Sequence, residues 1–228
     1  MPDIYKYHPH TYVLPQQFQD LKNEMLQTGD RAERTYIIKP DRGSQGRGIL
    51  LIQEPDEVQN SFSDGNGAVA QKYIKPFLID GKKFDLRIYV LLTSLNPLHV
   101  YIHKEGMARF CTETYQDPKP DNLDHFYSHL TNYSLNKTNT HVINKTKSMN
   151  PKSNSDELDQ IDLYQTPLKR SLTFVMNSIK NSGKNVEQLQ EEIDNMIRFT
   201  LAAVQPFLSS SYHSVIAVSD GKCRCFEI

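Results

Sequence analysis

The sequence predicts a mixed α+β fold of two lobes, on three observations. Short β-branched and aromatic runs bounded by Gly and Pro recur between residues 35 and 110, the pattern of strands and turns. Two long stretches with apolar residues at helical spacing follow residue 167. Pro76 interrupts the chain after a buried-type run and marks a boundary between lobes, so 1–74 and 75–228 form the two expected domains.

The 228 residues suffice for one large domain or two small ones. A charged fraction of 23% and a hydrophobic fraction of 38% suit a soluble globular chain. The net charge of −1 gives no general attraction to polyanions, so nucleic acid is not an expected partner. No stretch approaches the ~20 apolar residues of a membrane span, and Met1 to His8 has no apolar signal core. The three cysteines, Cys111, Cys223 and Cys225, fit reduced thiols in a cytosolic compartment. Cys223 and Cys225 suit strand packing better than a metal, because a second pair is lacking. Asn132, Asn136 and Asn144 head Asn-x-Ser/Thr triplets, which without a secretory signal are read as chance.

In order along the chain, residues 1–17 read as irregular. Phe18, Leu21 and Met25 share one face of a helix that ends by Gly29. Tyr36–Ile38 and Ile49–Ile52 are strands joined by a loop with glycines at 43, 46 and 48. Glycine lets backbone N–H groups approach an anion closely, and Lys39 stands at the loop's mouth. The spacing is neither that of a Walker loop nor that of a dinucleotide fingerprint, since a strand follows the glycines. A flexible hairpin and a nucleotide-binding loop both have this composition. A polar connection with a helical turn at 56–59 leads to a strand at Ala68–Ile74.

Residues 81–93 read as one strand. Alternation puts Phe84, Leu86, Ile88, Val90 and Leu92 on a buried face and Lys83, Asp85, Arg87 and Tyr89 on the other. Those charges suit either a ligand surface for phosphate and ribose or a local ladder of ion pairs. Residues 99–104 and 105–110 are further strands, with Arg109 on the side of Arg87. Residues 116–127 are loop, and His129–Ser134 is a polar cluster with the composition of a capping loop. Residues 136–160 are too polar to bury much, which predicts a mobile insertion. Leu168, Leu172, Val175 and Ile179 form one helical stripe ended by Gly183. Asn185 and Gln188 have capping-box spacing, and a second helix runs to about Leu208, with Pro206 ending or kinking it. Ser214–Val218 and Cys223–Ile228 are strand-like, with a turn at Ser219–Lys222, and the chain reads as stopping inside a strand.

These segments resemble the tubulin–tyrosine ligase-like family, and within it the tubulin polyglutamylases. The resemblance is carried by Ile38-Lys-Pro-Asp-Arg-Gly-Ser-Gln-Gly-Arg-Gly-Ile49, Gln71-Lys-Tyr-Ile74, Pro76-Phe-Leu-Ile-Asp-Gly-Lys-Lys-Phe-Asp-Leu-Arg-Ile-Tyr-Val90, Glu105-Gly-Met-Ala-Arg-Phe110 and His129-Leu-Thr-Asn-Tyr-Ser134. It implies an ATP-grasp fold, with ATP between two α+β lobes. It also implies a reaction that activates a carboxylate with ATP and joins it to an amine. By resemblance Lys39 holds the α- and β-phosphates, and Gln45, Gly46, Arg47 and Gly48 cover the triphosphate. Gln71, Lys72, Tyr73 and Ile74 line the adenine pocket. Lys83, Phe84 and Asp85 fall at phosphate and ribose, and Thr131 and Asn132 at the nucleotide. Arg87 and Arg109 fall where the γ-phosphate meets the incoming amino acid and are the expected catalytic residues. Tyr133, Ser134, Lys169 and Arg170 face the amino acid, free L-glutamate.

The family's magnesium ligands fall beyond residue 228, so ATP and Mg2+ are the implied cofactors and this chain supplies no metal ligand; Glu227 is read as structural. The resemblance also implies a chain truncated at its C-terminus and lacking most of the N-terminal lobe. The implied partner is the acidic tail of tubulin, and the implied location is the cytoplasm and the microtubule cytoskeleton, including cilium, flagellum or basal body. An inactive tubulin-binding relic and a glycine or tyrosine ligase of the same family are the alternative readings.

Overall fold

The computed structural model describes residues 5–31, 33–60, 67–137, 139, 165–166, 168–215 and 226–227. Its elements are mixed, as the patterning predicts. By compactness the chain divides into one unit of residues 1–7, 86–108 and 170–228 and another of 8–85 and 109–169.

The second unit begins with a four-stranded sheet of β1 (Thr11–Leu14), β2 (Tyr36–Pro40), β3 (Leu50–Ile52) and β4 (Ala68–Lys72), in the order β1-β4-β2-β3. β4 is antiparallel to both β1 and β2, and β2 to β3. One sheet face carries Tyr12, Leu14, Tyr36, Ile38, Ala68 and Ala70. These close a core with Leu21 and Met25 of α1 (Phe18–Gln27) and Val58 of α2 (Pro55–Asn60). Strand β1 corrects the irregular reading of residues 1–17. Its alternation, with Tyr12 and Leu14 buried and Val13 exposed, spans only four residues and offers little periodicity to detect.

A five-stranded sheet has the order β10-β11-β9-β6-β5, from β5 (Leu78–Ile79), β6 (Lys82–Arg87), β9 (Met107–Phe110), β10 (Gln165–Thr166) and β11 (Lys169–Ser171). The unit division cuts β6 after Asp85, β9 after Ala108 and β11 after Lys169. The single strand expected over 81–93 is two strands: β6 ends at Arg87, and β7 (Val90–Leu95) starts a separate sheet of order β12-β7-β8. That sheet includes β8 (Leu98–Ile102) and β12 (Phe226–Glu227). The apolar alternation runs unbroken through Ile88 and Tyr89, so it carries no sign that the strand changes partners. Phe84, Leu86, Ile88 and Val90 are half-buried rather than buried, while Leu92 is buried.

Two short helices appear where loop was expected: α3 (Phe126–His129) at the end of the loop over 116–127, and α4 (Tyr133–Asn136) at the end of the capping loop over 129–134. Asn136, expected to open a mobile insertion, is buried and fully engaged by hydrogen bonds. The rest of the expected insertion, except Lys137 and Asn139, lies outside the described residues. In the first unit, α5 (Leu172–Asn181) starts four residues later than the apolar stripe suggests, because Lys169–Ser171 is strand. Ser171 caps it, its hydroxyl accepting from the Phe174 N–H at 3.1 Å. Helix α6 runs Val186–Val215, past Pro206 and past the expected end at Leu208. It takes in Ser214 and Val215, which were expected to open a strand; the remainder of that strand and the turn at 219–222 lie outside the described residues. Half of the expected capping box forms, with Asn185 Oδ1 accepting from the Gln188 N–H at 3.0 Å. The Gln188 side chain turns forward to Glu192 instead of back.

Candidate functional site

Alternation along β2 puts Lys39 on the sheet face opposite the helix-covered core. In the β2–β4 register Ile37 lies opposite Gln71 and Lys39 opposite Val69, so Lys39 and Gln71 share that face. Lys39 Nζ donates to Gln71 Oε1 at 2.7 Å, and Gln71 Nε2 donates to Thr11 Oγ1 at 3.0 Å. Partial burial lowers the Lys39 pKa, since desolvation disfavours the ammonium form.

The loop between β2 and β3 is held in left-handed conformations, with φ of 62° at Gln45, 88° at Gly46 and 76° at Gly48. Gly46 is required on a second count. A Cβ there would lie 3.0 Å from Asn132 Cγ and 3.1 Å from its Oδ1. The glycine loop therefore rests directly on Asn132. Asn136 fixes the backbone on that side: its Nδ2 donates to the carbonyls of Leu130 at 2.6 Å and Asn132 at 3.0 Å. Its Oδ1 accepts from the Thr112 N–H and hydroxyl, both at 3.0 Å.

From β6, Lys83 Nζ donates to the Tyr73 hydroxyl at 3.2 Å and sits 4.5 Å from that ring's centre. Its pKa is lowered, chiefly by burial and further by the charge of Lys39, against the opposing pull of Cys111 and Asp85. Two ammonium groups thus stand near enough to repel, an arrangement that an anion would relieve. The Tyr73 hydroxyl also meets His129 Nδ1 at 3.1 Å. Burial, then the charges of Lys83 and His125, push the His129 pKa down to about 4. Burial pushes the Cys111 thiol up to about 12, which leaves it an unreactive core residue.

Asp85 and Arg109 meet as a two-pronged pair. Arg109 Nε donates to Asp85 Oδ1 at 3.0 Å, and its Nη2 donates to Oδ2 at 2.5 Å. The partner of Asp85 thus comes from the neighbouring strand, a possibility that spacing along one strand cannot reveal. Lys169 Nζ lies 3.9 Å from the Tyr133 ring centre and Lys137 Nζ 5.9 Å, so one aromatic ring gathers two cations.

Comparison with known proteins gives this arrangement a relation. The model of the tubulin-tyrosine ligase family matches residues 2–228. The chain belongs to the tubulin-tyrosine ligase family. It is similar to tubulin polyglutamylase TTLL11 of Mus musculus, with 38% identity over the whole chain and 30% of that protein. It is 37% identical to the probable beta-tubulin polyglutamylase of Tetrahymena thermophila, over the whole chain and 18% of that protein. Tubulin polyglutamylase TTLL6 of Mus musculus is likewise 37% identical, over the whole chain and 25% of its length. The chain thus spans less than a third of each of these curated relatives.

Within this family member, Lys39, Gly46, Gln71, Tyr73, Lys83, Asp85, Arg109 and Asn132 all belong to one compact unit, as do Tyr133, Ser134 and Lys169. Arg87 and Arg170 belong to the other, Arg87 as an exposed residue at the end of β6 and Arg170 with its guanidinium 4.9 Å from the Phe174 ring centre. Lys72 does not join Gln71. It points to the covered face, 5.0 Å from the Tyr36 ring centre and 3.9 Å from Glu24. Ile74 is exposed, and Phe84 stacks on Phe110 with ring centres 5.2 Å apart. Thr131 and Ser134 are half-buried.

His129 and Asn136 were not singled out as site residues. His129 heads a recognised motif, and a histidine beside Thr and Asn was the available signal. Asn136 opens a polar run whose composition concealed it. Among the described residues no three His, Cys, Asp or Glu side chains come together as a metal site. No helix among them is long and apolar enough to cross a membrane.

Proposed function

We propose that this chain contributes the nucleotide- and amino-acid-handling surface of an ATP-dependent ligase that adds glutamate to the glutamate side chains of tubulin tails. The observation that carries the reading is the conjunction, in one compact unit, of a glycine loop resting on Asn132 and two lysines, Lys39 and Lys83, whose hydrogen bonds go to neutral acceptors. A pair of ammonium groups bonded to an amide and a phenol keeps its charge available for a polyanion.

In this reading Lys39 and Lys83 contact the phosphates and the 45–48 loop covers them with backbone N–H groups. Gln71, Tyr73 and Ile74 lie along the base, and Asp85 and Phe84 at the ribose side. A tubulin carboxylate oxygen bonds to the γ-phosphorus and the bond to ADP breaks. The amine of free glutamate then attacks the acyl phosphate, phosphate leaves, and the amine's proton passes to phosphate or solvent. Fixed cations lower the barrier because negative charge grows on the transferring oxygens; Arg87 and Arg109 are the proposed donors there. Tyr133, Ser134, Lys169 and Arg170 are the proposed glutamate contacts. The names of the relatives support tubulin as the acceptor, which makes the cytoplasmic microtubule the proposed place of work.

The test uses the full-length natural protein that carries this segment, with ATP, Mg2+ and radiolabelled glutamate. Label is expected on tubulin and not on tubulin shorn of its C-terminal tails. Transfer of labelled glycine or tyrosine in place of glutamate, or no transfer at all, would overturn the proposal.

A further inference from the structure

His129 is a buried titratable side chain, 0% exposed, in the midst of these residues, and the reading above gives it no task. Its ring is enclosed edge-on by Tyr73, with centres 5.8 Å apart, and by Tyr115 at 5.6 Å. Nδ1 meets the Tyr73 hydroxyl at 3.1 Å, while Nε2 is buried with no hydrogen-bonding partner among the described residues. The hydrogen-bond inventory orders the chain of atoms. A lysine nitrogen only donates here, so the Tyr73 oxygen accepts from Lys83 at 3.2 Å. The phenol has one hydrogen to give: Nδ1 receives it when the imidazole proton is on Nε2, whereas a proton on Nδ1 would donate to the Tyr73 oxygen and leave the phenol's hydrogen to Tyr115.

We infer that His129 is a positioning residue: its Nδ1, acting through the Tyr73 hydroxyl, holds the Lys83 ammonium in place for the phosphates of a nucleotide. The inference rests on the nucleotide reading of this site. Burial favours the neutral imidazole that the relay requires. A neutral acceptor also suits the place, since a protonated ring would add a third positive charge beside Lys83 and Lys39. Replacing Nδ1 by carbon would free the phenol to rotate and release Lys83 to other rotamers.

The experiment is calorimetric titration of the full chain with ATP and, separately, with adenosine, on wild type and on Lys83→Met, His129→Leu and His129→Asn. Lys83→Met should weaken ATP roughly tenfold or more and leave adenosine within about twofold, the size expected for one hydrogen bond to a charged group. His129→Leu should reproduce that selective loss at roughly tenfold. His129→Asn, whose Oδ1 supplies an acceptor near the place of Nδ1, should recover most of it. If His129→Leu weakens ATP and adenosine alike, or weakens neither while Lys83→Met weakens ATP, the positioning role is wrong and the nucleotide reading stands. If wild type binds no ATP, or Lys83→Met leaves ATP unaffected, the nucleotide reading fails and takes the inference with it. Should His129→Leu not fold, 15N NMR of the wild-type imidazole decides: a proton on Nε2 is expected, and a proton on Nδ1 overturns the relay.

Discussion

The two faces of the four-stranded sheet treat their lysines in opposite ways. On the helix-covered face, Glu24 of α1 gathers its neighbours: the Tyr12 and Tyr36 hydroxyls donate to it, and His10 and Lys72 lie at 3.2 Å and 3.9 Å. On the other face Lys39 bonds to an amide, and the nearby Lys83 bonds to a phenol. A lysine beside a carboxylate is neutralised within the protein, and its contribution is structural and small at this exposure. Lys39, beside an uncharged acceptor, has been partly desolvated with no counter-charge among the described residues, a cost that a ligand phosphate would offset, and at Lys83 burial outweighs the pull of Asp85. The charge of the partner thus distinguishes Lys72, beside Glu24, from Lys39, beside Gln71.

The comparison is sharpest at the lysines themselves. Lys39→Met should lower glutamate transfer by about 10²–10³-fold, as for removal of a fixed donor at developing charge, with the melting temperature nearly unchanged. Lys72→Met should cost at most about 1 kcal/mol of stability and leave transfer within a few-fold. Steady-state transfer assays beside thermal melts read both, and equal effects of the two on transfer would erase the distinction between the faces.

The next effect is on packing. Leu21→Ala, at a side chain with 0% exposure under the covered face, should destabilise by about 2–5 kcal/mol. Leu86→Ala, half-buried on β6, should cost less than about 2 kcal/mol, because fewer contacts are lost. Urea denaturation ranks them, and a larger loss at Leu86 would show that the principal core lies elsewhere than under α1.

The smallest effect is acid sensitivity of the Glu24 cluster. Burial raises the Glu24 pKa, but hydrogen bonds from Tyr12 and Tyr36 and the charges of His10 and Lys72 outweigh it, so the net direction is down. A carboxylate depressed in the folded state adds stability above its unfolded pKa. That stability drains away as pH falls through the folded value, so the loss sets in below about pH 4.5. Replacing both Tyr12 and Tyr36 by Phe should flatten this limb of a pH–melting curve; a limb that superposes on wild type would show that Glu24 does not shape it.

The sequence by itself determined the local pieces that have short-range causes. Period-two and helical stripes placed α1, the β2–β3 hairpin and the two long helices, because side-chain direction follows from backbone geometry. The linked motifs from Ile38 to Ser134 determined the family, since several motifs in order constrain far more than any one. Only the tertiary structure decided which neighbours those pieces acquire. The alternation through residues 81–93 is indifferent to the change of sheet at Ile88. Pro206 breaks a helix in isolation, yet α6 continues through it to Val215. Adjacent residues Gln71 and Lys72 look equivalent in the motif, and their opposite directions matter only once α1 brings Glu24 to one face. Asp85 found its partner in Arg109, 24 residues away, and His129 its place between Tyr73 and Tyr115. Such pairings are set by strand order and loop closure, which depend on the packing of the whole chain and leave no period in the sequence.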